Sequence, residues 1–552
     1  MAALSDGARF DYIVVGAGSA GATVASRLSE DPDVSVLLLE AGPDHNHWSV
    51  WAPMGTLWNL LSKKRNWAFD TVPQAGLNGR QGYQPRGKML GGSSGANAMI
   101  YIRGHKHDYD KWAEQGADGW DYESVLPYFK KSEHREAGAN DYHGEGGELN
   151  VAPVRSPSEI NAIFMQAGDQ LQLPRNDDFN GAEQEGLGMY EVTQKNGERW
   201  NTARAFLDPH MDRPNLTVVT EALTEKVLVE DGRATGVRVK VGKRDAIDVF
   251  ADREVIVSGG AFGSPHLLLL SGIGAKDKLE PHGIEQVADL PGVGENLQDH
   301  IDIVYGYKSK LKDLMHVGIG GGLRLLKGIG EYRKNRTGMV TTNFAESGGF
   351  LYTDRSEPAP DVQIHMVRAI VDDHGRKMGL GGGYSAHVCV LRPHSRGTVS
   401  LNSADPADAP AIDPNFLSDE RDLKTLVRGA RLLQRILRAP AFDPVRGKPL
   451  YATQSDDEAE IIEDIRNRAD TVYHPVGTCK IGSDDDPMAV VDPRLRVRGI
   501  EALRVIDASV MPNVVSGNTN APSIMIGEKA ADMIRDDRAR KMADTPQVLA
   551  AE

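Results

Sequence analysis

Unbroken apolar runs separated by glycine-rich turns set the order of elements at the start of the chain. Tyr12-Ile13-Val14-Val15 is one such run, and Val34-Ser35-Val36-Leu37-Leu38-Leu39 is nearly another, stopping at Glu40. Strands buried on both faces read this way, whereas a strand with one wet face alternates. Between the runs, Gly16-Ala17-Gly18-Ser19-Ala20-Gly21 opens a helical stretch that lasts to Leu28. The pattern predicts strand, tight turn, helix, strand. Farther along, residues 222–229 and 234–241 alternate apolar and polar around Asp231-Gly232, as a hairpin does. Residues 254–261 read as a strand ending in glycines, and a helix begins at Ser264. From about residue 305 to 471 the pattern is strand-rich and then helical, including 423–437. It returns to strand, loop and helix over 502–507 and 523–534, so the first domain is expected to be assembled from separate pieces.

Two segments carry more than secondary structure. Residues 48–69 mix Trp48, Trp51, Leu57, Trp58, Leu60 and Leu61 with Lys63-Lys64-Arg65. A core helix with a solvated end and a lid both fit this mixture, and a lid is the expectation. Residues 85–98 form a second glycine cluster, dense in small residues that let backbone run against a flat or charged ligand. Met99-Ile100-Tyr101-Ile102 is expected to continue from it as a buried strand.

Composition narrows the classes. A chain of 552 residues can hold two or more domains with substantial cores. Hydrophobic residues at 40% and a mean hydropathy of −0.39 describe a soluble globular protein, and no apolar run reaches the length of a membrane span. Residues 1–10 lack the basic flank and apolar stretch of a secretory leader. Cys389 and Cys479 are the only cysteines, which argues against a disulfide framework or a cysteine-ligated metal and suits a reducing, cytoplasmic compartment. The histidines are scattered without HExxH spacing, so no metal site is expected. A net charge of −15 disfavours nucleic acid as a partner.

Each residue type in the first turn has a separate task. Gly16 permits the tight turn, Gly18 lets the backbone approach a pyrophosphate, and Gly21 lets helix and strand pack closely. The helix N-terminus offers free N–H groups and a positive dipole end. Glu40, at the tip of the second strand, is placed to accept hydrogen bonds from a ribose. Together these predict a dinucleotide site.

Six separated motifs, in order, then resemble the glucose–methanol–choline (GMC) oxidoreductases, FAD enzymes that act mostly on alcohols. They are 16–42, Gly87-Lys88-Met89-Leu90-Gly91-Gly92-Ser93-Ser94, 260–274, 290–300 with Gln298-Asp299-His300, Tyr473-His474-Pro475-Val476-Gly477-Thr478, and 505–522 with Ser516-Gly517-Asn518-Thr519-Asn520. The segments are most similar to the bacterial branch containing choline dehydrogenase and the aliphatic-alcohol dehydrogenases. The resemblance implies an α/β fold, α+β overall. A Rossmann-like FAD-binding domain would span 1–155, 215–305 and 472–540, and a substrate domain with an antiparallel sheet and helices 156–214 and 306–471, leaving a tail over 541–552.

The resemblance also implies roles. Gly16, Gly18, Ser19, Ala20, Gly21, Glu40 and Ala41 would hold the ADP half of FAD, and Gly91, Gly92, Asn97 and Ala98 would line its pyrophosphate and flavin side. Val227 would meet the adenine through its backbone, Asp507 and Ala508 the ribityl chain, and Thr519 the isoalloxazine. Members that attach FAD covalently use a histidine immediately before the asparagine of the glycine cluster; Ala96 stands there, which implies noncovalent FAD.

Oxidising an alcohol removes a hydroxyl proton and a hydride, and neutral histidine suits the first task. By local sequence alone, His474 before a proline and Asn518 among small polar residues read as loop positions. The resemblance makes His474 the general base and Asn518 the group that holds the substrate oxygen. It makes His300 structural, near the cofactor. Glu346 would attract a cationic head group if it were buried in the substrate cavity, and a surface ion pair fits it equally. The expected activity is oxidation of a primary alcohol, with electrons passed to a quinone or other non-oxygen acceptor. Choline dehydrogenation, an oxygen-using oxidase of aryl or furan alcohols, and a flavin-dependent photodecarboxylase are the alternatives. Finally, Lys308, Lys310, Lys312, Arg324, Lys327, Arg333, Lys334 and Arg336 are interleaved with leucines and isoleucines. Such a stretch is either a solvated helix face or a contact with an anionic membrane surface. The sequence sets no oligomeric state.

Overall fold

The computed structural model describes residues 4–371, 381–451 and 455–544, and its two largest apolar clusters belong to two sheets. The strands of the first sheet are β1 (Arg9–Val15), β2 (Val36–Leu39), β3 (Leu216–Val219), the hairpin β4 (Ala222–Glu230) and β5 (Arg233–Val241), β6 (Ile247–Val257) and β7 (Leu503–Val505). β1 is central, with β2 and then β3 on one side and β6 on the other, all parallel. β7 pairs in parallel with the end of β6, and the hairpin pairs antiparallel with its beginning. The apolar runs of β1 and β2 are buried, as the pattern predicts.

Register places the functional loops. Val15 lies opposite Leu39 and Val257, Leu39 opposite Val219, and Val257 opposite Val505. The parallel strands therefore stop at one level, and the loops after them share one rim, where such sheets bind ligands.

After β1, Gly16 turns at φ 97° into the helix Ser19–Leu28, which is buried from Ala20 onward. Small residues make this possible, since a Cβ on Gly21 would stand 1.9 Å from the Gly16 carbonyl oxygen. The C-terminal helix Asn520–Asp544 packs along it. Ser19 Oγ bonds Asn520 Oδ1 at 2.7 Å, and the buried Arg27 guanidinium forks onto Glu528 (2.7 and 2.8 Å) and Glu148 (2.6 Å). This seam draws residues just before 520 to the first turn of the helix. Of the expected tail, only 541–544 belongs to this helix; the rest lies outside the described residues.

The second sheet is antiparallel, in the order Asp470–Thr471, Ile301–Lys308, Gly381–Val390, Val362–Val367, Ala345–Leu351, Gly186–Met189. Helices Glu159–Gln170 and Glu420–Arg438 cover one face. Strand alternation sorts the side chains: Ile301, Ile303 and Tyr305 enter the helix-covered core, whereas Asp302 and Val304 face a cavity against the first sheet's rim. The domain boundary expected at 305/306 thus falls inside a strand.

Two further expectations need correction. Met99-Ile100-Tyr101-Ile102 is buried but is no strand; one bridge, Ile100 with Val192, joins it to a sheet, and Met99 at φ 59° breaks the extended run. Residues 48–69 are not the single core helix with a solvated end: they hold two short helices, Trp48–Trp51 and Thr56–Leu61, and of these only the second lines the cavity, through Thr56, Leu57 and Leu60. Among the described residues, no helix is long and apolar enough to cross a membrane.

The two turn glycines should fail differently. Gly21→Ala drives a methyl into backbone and should cost about 3 kcal/mol or more, seen as a lower Tm. A Cβ on Gly18, at φ −73°, meets no atom within 4 Å. Gly18→Ala should therefore keep the wild-type Tm of ligand-free protein while any copurifying dinucleotide falls.

Candidate active site

The rim of the first sheet and the open face of the second enclose a cavity of about 1170 Å³. Gly16, Gly18, Ser19, Ala20, Glu40 and Ala41 line one end. No side chain caps the helix that starts there and no acid sits in its first turn, so its N–H groups remain for an anion. Glu40 accepts from the N–H groups of Ala17 (3.0 Å) and Gly42 (2.8 Å), and burial pushes its carboxyl up to about 7. Gly92, Asn97, Ala98, Asp507, Ala508 and Thr519 line the continuation. Asp507 is fixed by Gly260 N–H (2.8 Å) and Ser264 Oγ (2.5 Å). Gly21 and Gly91 support the turn instead of lining the cavity; Gly91 N–H donates to the Ala17 carbonyl at 2.8 Å.

Val227 does not reach the cavity. It is fully buried, and its N–H donates to Ser271 Oγ at 2.8 Å. Ala222, Leu223 and Thr224 of the same strand do line the cavity. Thr224 Oγ1 is buried without a partner. That orphan hydroxyl, the open space at Gly18 and the uncapped helix fit an adenine dinucleotide.

At the other end, two residues distant in sequence meet. Asn518 Nδ2 lies 3.0 Å from His474 Nε2, and both side chains line the cavity. Their hydrogen bonds continue on both sides. His474 Nδ1 lies 2.9 Å from His300 Nδ1, His300 Nε2 lies 2.9 Å from the Leu391 carbonyl oxygen, and Gln363 Nε2 donates to Asn518 Oδ1 at 3.3 Å. The chain has one consistent direction. A carbonyl only accepts, so His300 carries its proton on Nε2 and accepts on Nδ1. His474 then donates from Nδ1 and presents the Nε2 lone pair to Asn518. Burial keeps both rings neutral: it pushes His300 down to about 4, and it holds His474, with help from His300, His365 and Arg86, well below its ordinary value.

Several supports had no local signal in the sequence. Asp299, raised to about 6 by burial, accepts from His474 N–H (2.8 Å), Thr471 Oγ1 (2.5 Å) and Gln84 (3.3 Å). Arg86 donates to the Tyr473 carbonyl at 3.0 Å, and Tyr473 sits at φ 76°, which aims the next residue inward. His365 also lines the cavity, with Nδ1 buried and unpartnered. The adjoining wall is apolar, built from Leu57, Leu60, Ile100, Phe344, Val367 and Val371.

Glu346 is not part of that wall. It is fully buried and bound by Arg368 (2.9 Å), Thr342 (2.7 Å), Asn161 (2.7 Å) and the Ser158 N–H (2.8 Å), so neither the cavity nor the surface-pair expectation holds. His143, Asp178 and Glu191 bring possible ligand atoms within 4.8 Å of one another. Both ring nitrogens of His143 are engaged by Glu133 and Asp178, and Arg135 binds Glu191, so this cluster is a set of ion pairs.

Acid should find these histidines. His365 is held neutral down to about 3, mainly by burial, against an ordinary value of 6.5. Below that ordinary value the unfolded chain takes up a proton that the folded one refuses. The stability this residue contributes is complete above pH 6.5 and is lost as pH falls toward about 3. Glu40 and Asp299 act with opposite sign, so a difference isolates the histidine. His365→Asn should flatten the fall of unfolding free energy by up to ~1.4 kcal/mol per pH unit below 6, measured by denaturant titration.

Comparison with known proteins agrees with this geometry. The chain is 47% identical over 530 residues to the alcohol dehydrogenase [acceptor] of Pseudomonas putida, covering 95% of each. It is 44% identical over 548 residues to the mitochondrial choline dehydrogenase of Homo sapiens, covering 97% of this chain and 91% of that one. Among solved structures, a variant of the Aspergillus oryzae formate oxidase, studied for modification of its FAD, superposes with a TM-score of 0.89 at 29% identity, covering 97% of this chain and 100% of that one. Residues 10–302 and 393–527 match the N- and C-terminal domains described as GMC oxidoreductase, and the chain belongs to the GMC oxidoreductase family.

Proposed function

We propose that the protein is an FAD-dependent alcohol dehydrogenase that oxidises a primary, apolar alcohol to the aldehyde and passes the electrons to a quinone or another acceptor that is not oxygen. The directed hydrogen-bond chain that leaves His474 Nε2 unprotonated beside Asn518 carries this reading. FAD, when bound, supplies the hydride acceptor. Gly16, Gly18, Glu40, Gly92, Asp507 and Thr519 would hold it along the cavity. A substrate hydroxyl at the His474–Asn518 pair gives its proton to Nε2, while Asn518, steadied by Gln363, donates to the same oxygen and fixes which way the carbon faces. The apolar wall excludes water and takes the alkyl part. Ala96, whose methyl has no nucleophile, supports noncovalent FAD.

The resemblance to the Pseudomonas putida enzyme supports an acceptor-linked dehydrogenase. Choline is the second reading, favoured by the human relative. Against it, the carboxylate of Glu346 is already neutralised by Arg368.

An anaerobic screen of flavin bleaching across 1-alkanols and choline tests the substrate class; bleaching by choline alone would reverse the choice. His474→Ala should retain flavin but slow its reduction by ~10²–10⁴-fold, the usual range for a lost general base. Unchanged reduction would remove His474 from the mechanism. Acid precipitation should leave all flavin in the supernatant; yellow colour in the washed pellet would mean a covalent bond.

A further inference from the structure

The helix Thr56–Leu61 is amphipathic in the reverse sense. Its polar residues face inward: Thr56 Oγ1 donates to the Pro53 carbonyl at 3.0 Å, and Asn59 Nδ2 to the carbonyls of Ser49 (2.8 Å) and Gly95 (3.2 Å). Two of its large apolar residues face out, with Trp58 67% and Leu61 54% exposed. Trp48, itself 51% exposed, meets Trp58 edge-on at 5.5 Å, and the exposed Lys63 and Lys64 follow directly. A surface helix of a free-standing globule hides its apolar side. An exposed aromatic pair beside lysines marks a surface that meets something.

A second element repeats the pattern. Helix Ile319–Asn335 touches the body along Gly321, Gly328 and Tyr332, which leaves Leu323 and Leu326 66% and 67% exposed among exposed Arg324, Lys327, Arg333 and Lys334. Glu331 is the single acid of that helix. The helix rests on Met339–Thr341, and this turn packs against Pro53–Gly55, the turn that starts Thr56–Leu61. The two apolar, basic faces are therefore linked through adjacent turns. On the inner side of the same wall, Leu57 and Leu60 line the cavity.

Charge selects the occupant. The chain carries −15 overall, so an anionic surface is repelled by most of the molecule and attracted at this basic patch. A second copy in a two-fold dimer would set like charges against each other. Tryptophan, leucine and lysine together are the composition of helices that lie in a bilayer interface. We propose that Trp48, Trp58, Leu61, Leu323 and Leu326 dock on an anionic lipid bilayer, so that the apolar end of the cavity lies against the membrane. This rests on the reading of the substrate as an apolar alcohol, which such a surface would deliver.

Flotation of the flavin-loaded protein with vesicles tests it, using phosphatidylcholine alone and phosphatidylcholine mixed with phosphatidylglycerol. The protein should float with the mixed vesicles, less so as salt rises. Trp58→Ser combined with Leu61→Ser should lower partitioning about tenfold or more, and so should Leu323→Ser with Leu326→Ser, since each removes large side chains from hydrocarbon. Reduction by a short water-soluble alcohol should be unchanged in both. Equal flotation of variants and wild type, or none with any vesicle, would overturn the proposal. A dimer in sedimentation velocity that the same substitutions dissolve would assign the patch to a second copy instead. If alcohol reduction fails while flotation persists, the substrate reading falls and the docking surface stands.

Discussion

One proton position governs the chemistry of the cavity: the hydrogen on His474 must sit on Nδ1. The Leu391 carbonyl enforces this through His300, because a carbonyl cannot donate. Reversing any link would set two donors or two acceptors face to face in a buried site, at about 1–3 kcal/mol for each unsatisfied group. Water would relax this constraint by bridging either arrangement. His300 is fully buried and His474 nearly so, which keeps bulk water from relaxing the chain.

Holding that chain in place requires parts far apart in sequence. Asp299 precedes His300 and takes the backbone N–H of His474, so one short segment fixes both rings. Asn518 comes from a separate segment, two residues before the C-terminal helix begins. The Arg27 fork onto Glu528 and Glu148 fastens that helix to the dinucleotide-binding helix. Removing one partner of a buried pair costs about 3–5 kcal/mol, because the remaining charge is stranded. The Gly16–Gly21 turn and the Asn518 amide are thus parts of one packed seam, and the aligned strand ends bring both to the same rim.

The sequence shows what local physics determines and is silent on what distant contacts determine. Apolar runs around Gly16–Gly21 disclosed β1, the helix after it and β2, since burial on both faces leaves a mark on every residue of a strand. Ala222–Glu230 was readable as a hairpin strand, but which of its residues line the cavity was not: Thr224 lines it and Val227 does not. Glu346 misled for a related reason. Its fate is set by Arg368, on the neighbouring strand, and no local pattern announces that pairing. The meeting of His474 with Asn518 was foreseen through a resemblance of motifs. Gln363, which steadies Asn518, belongs to no motif and was missed.

Burial that frees Nε2 also makes it reluctant to hold a proton. An imidazolium at His474 would be buried beside His300, His365 and Arg86, all of which disfavour positive charge there. Proton uptake on its own is therefore unfavourable, and it becomes acceptable only as negative charge leaves the substrate toward an adjacent acceptor. Under the proposed mechanism the two transfers are therefore energetically tied. A substrate that brings its own charge into the cavity would disturb that balance, whereas an alkyl chain against Leu57, Leu60 and Phe344 leaves it untouched. In the proposed mechanism, the electrostatics of His474 and the apolarity of the wall thus favour the same class of molecule, one that prefers hydrocarbon to water and would concentrate at a surface such as the one where Trp58 and Leu326 stand exposed.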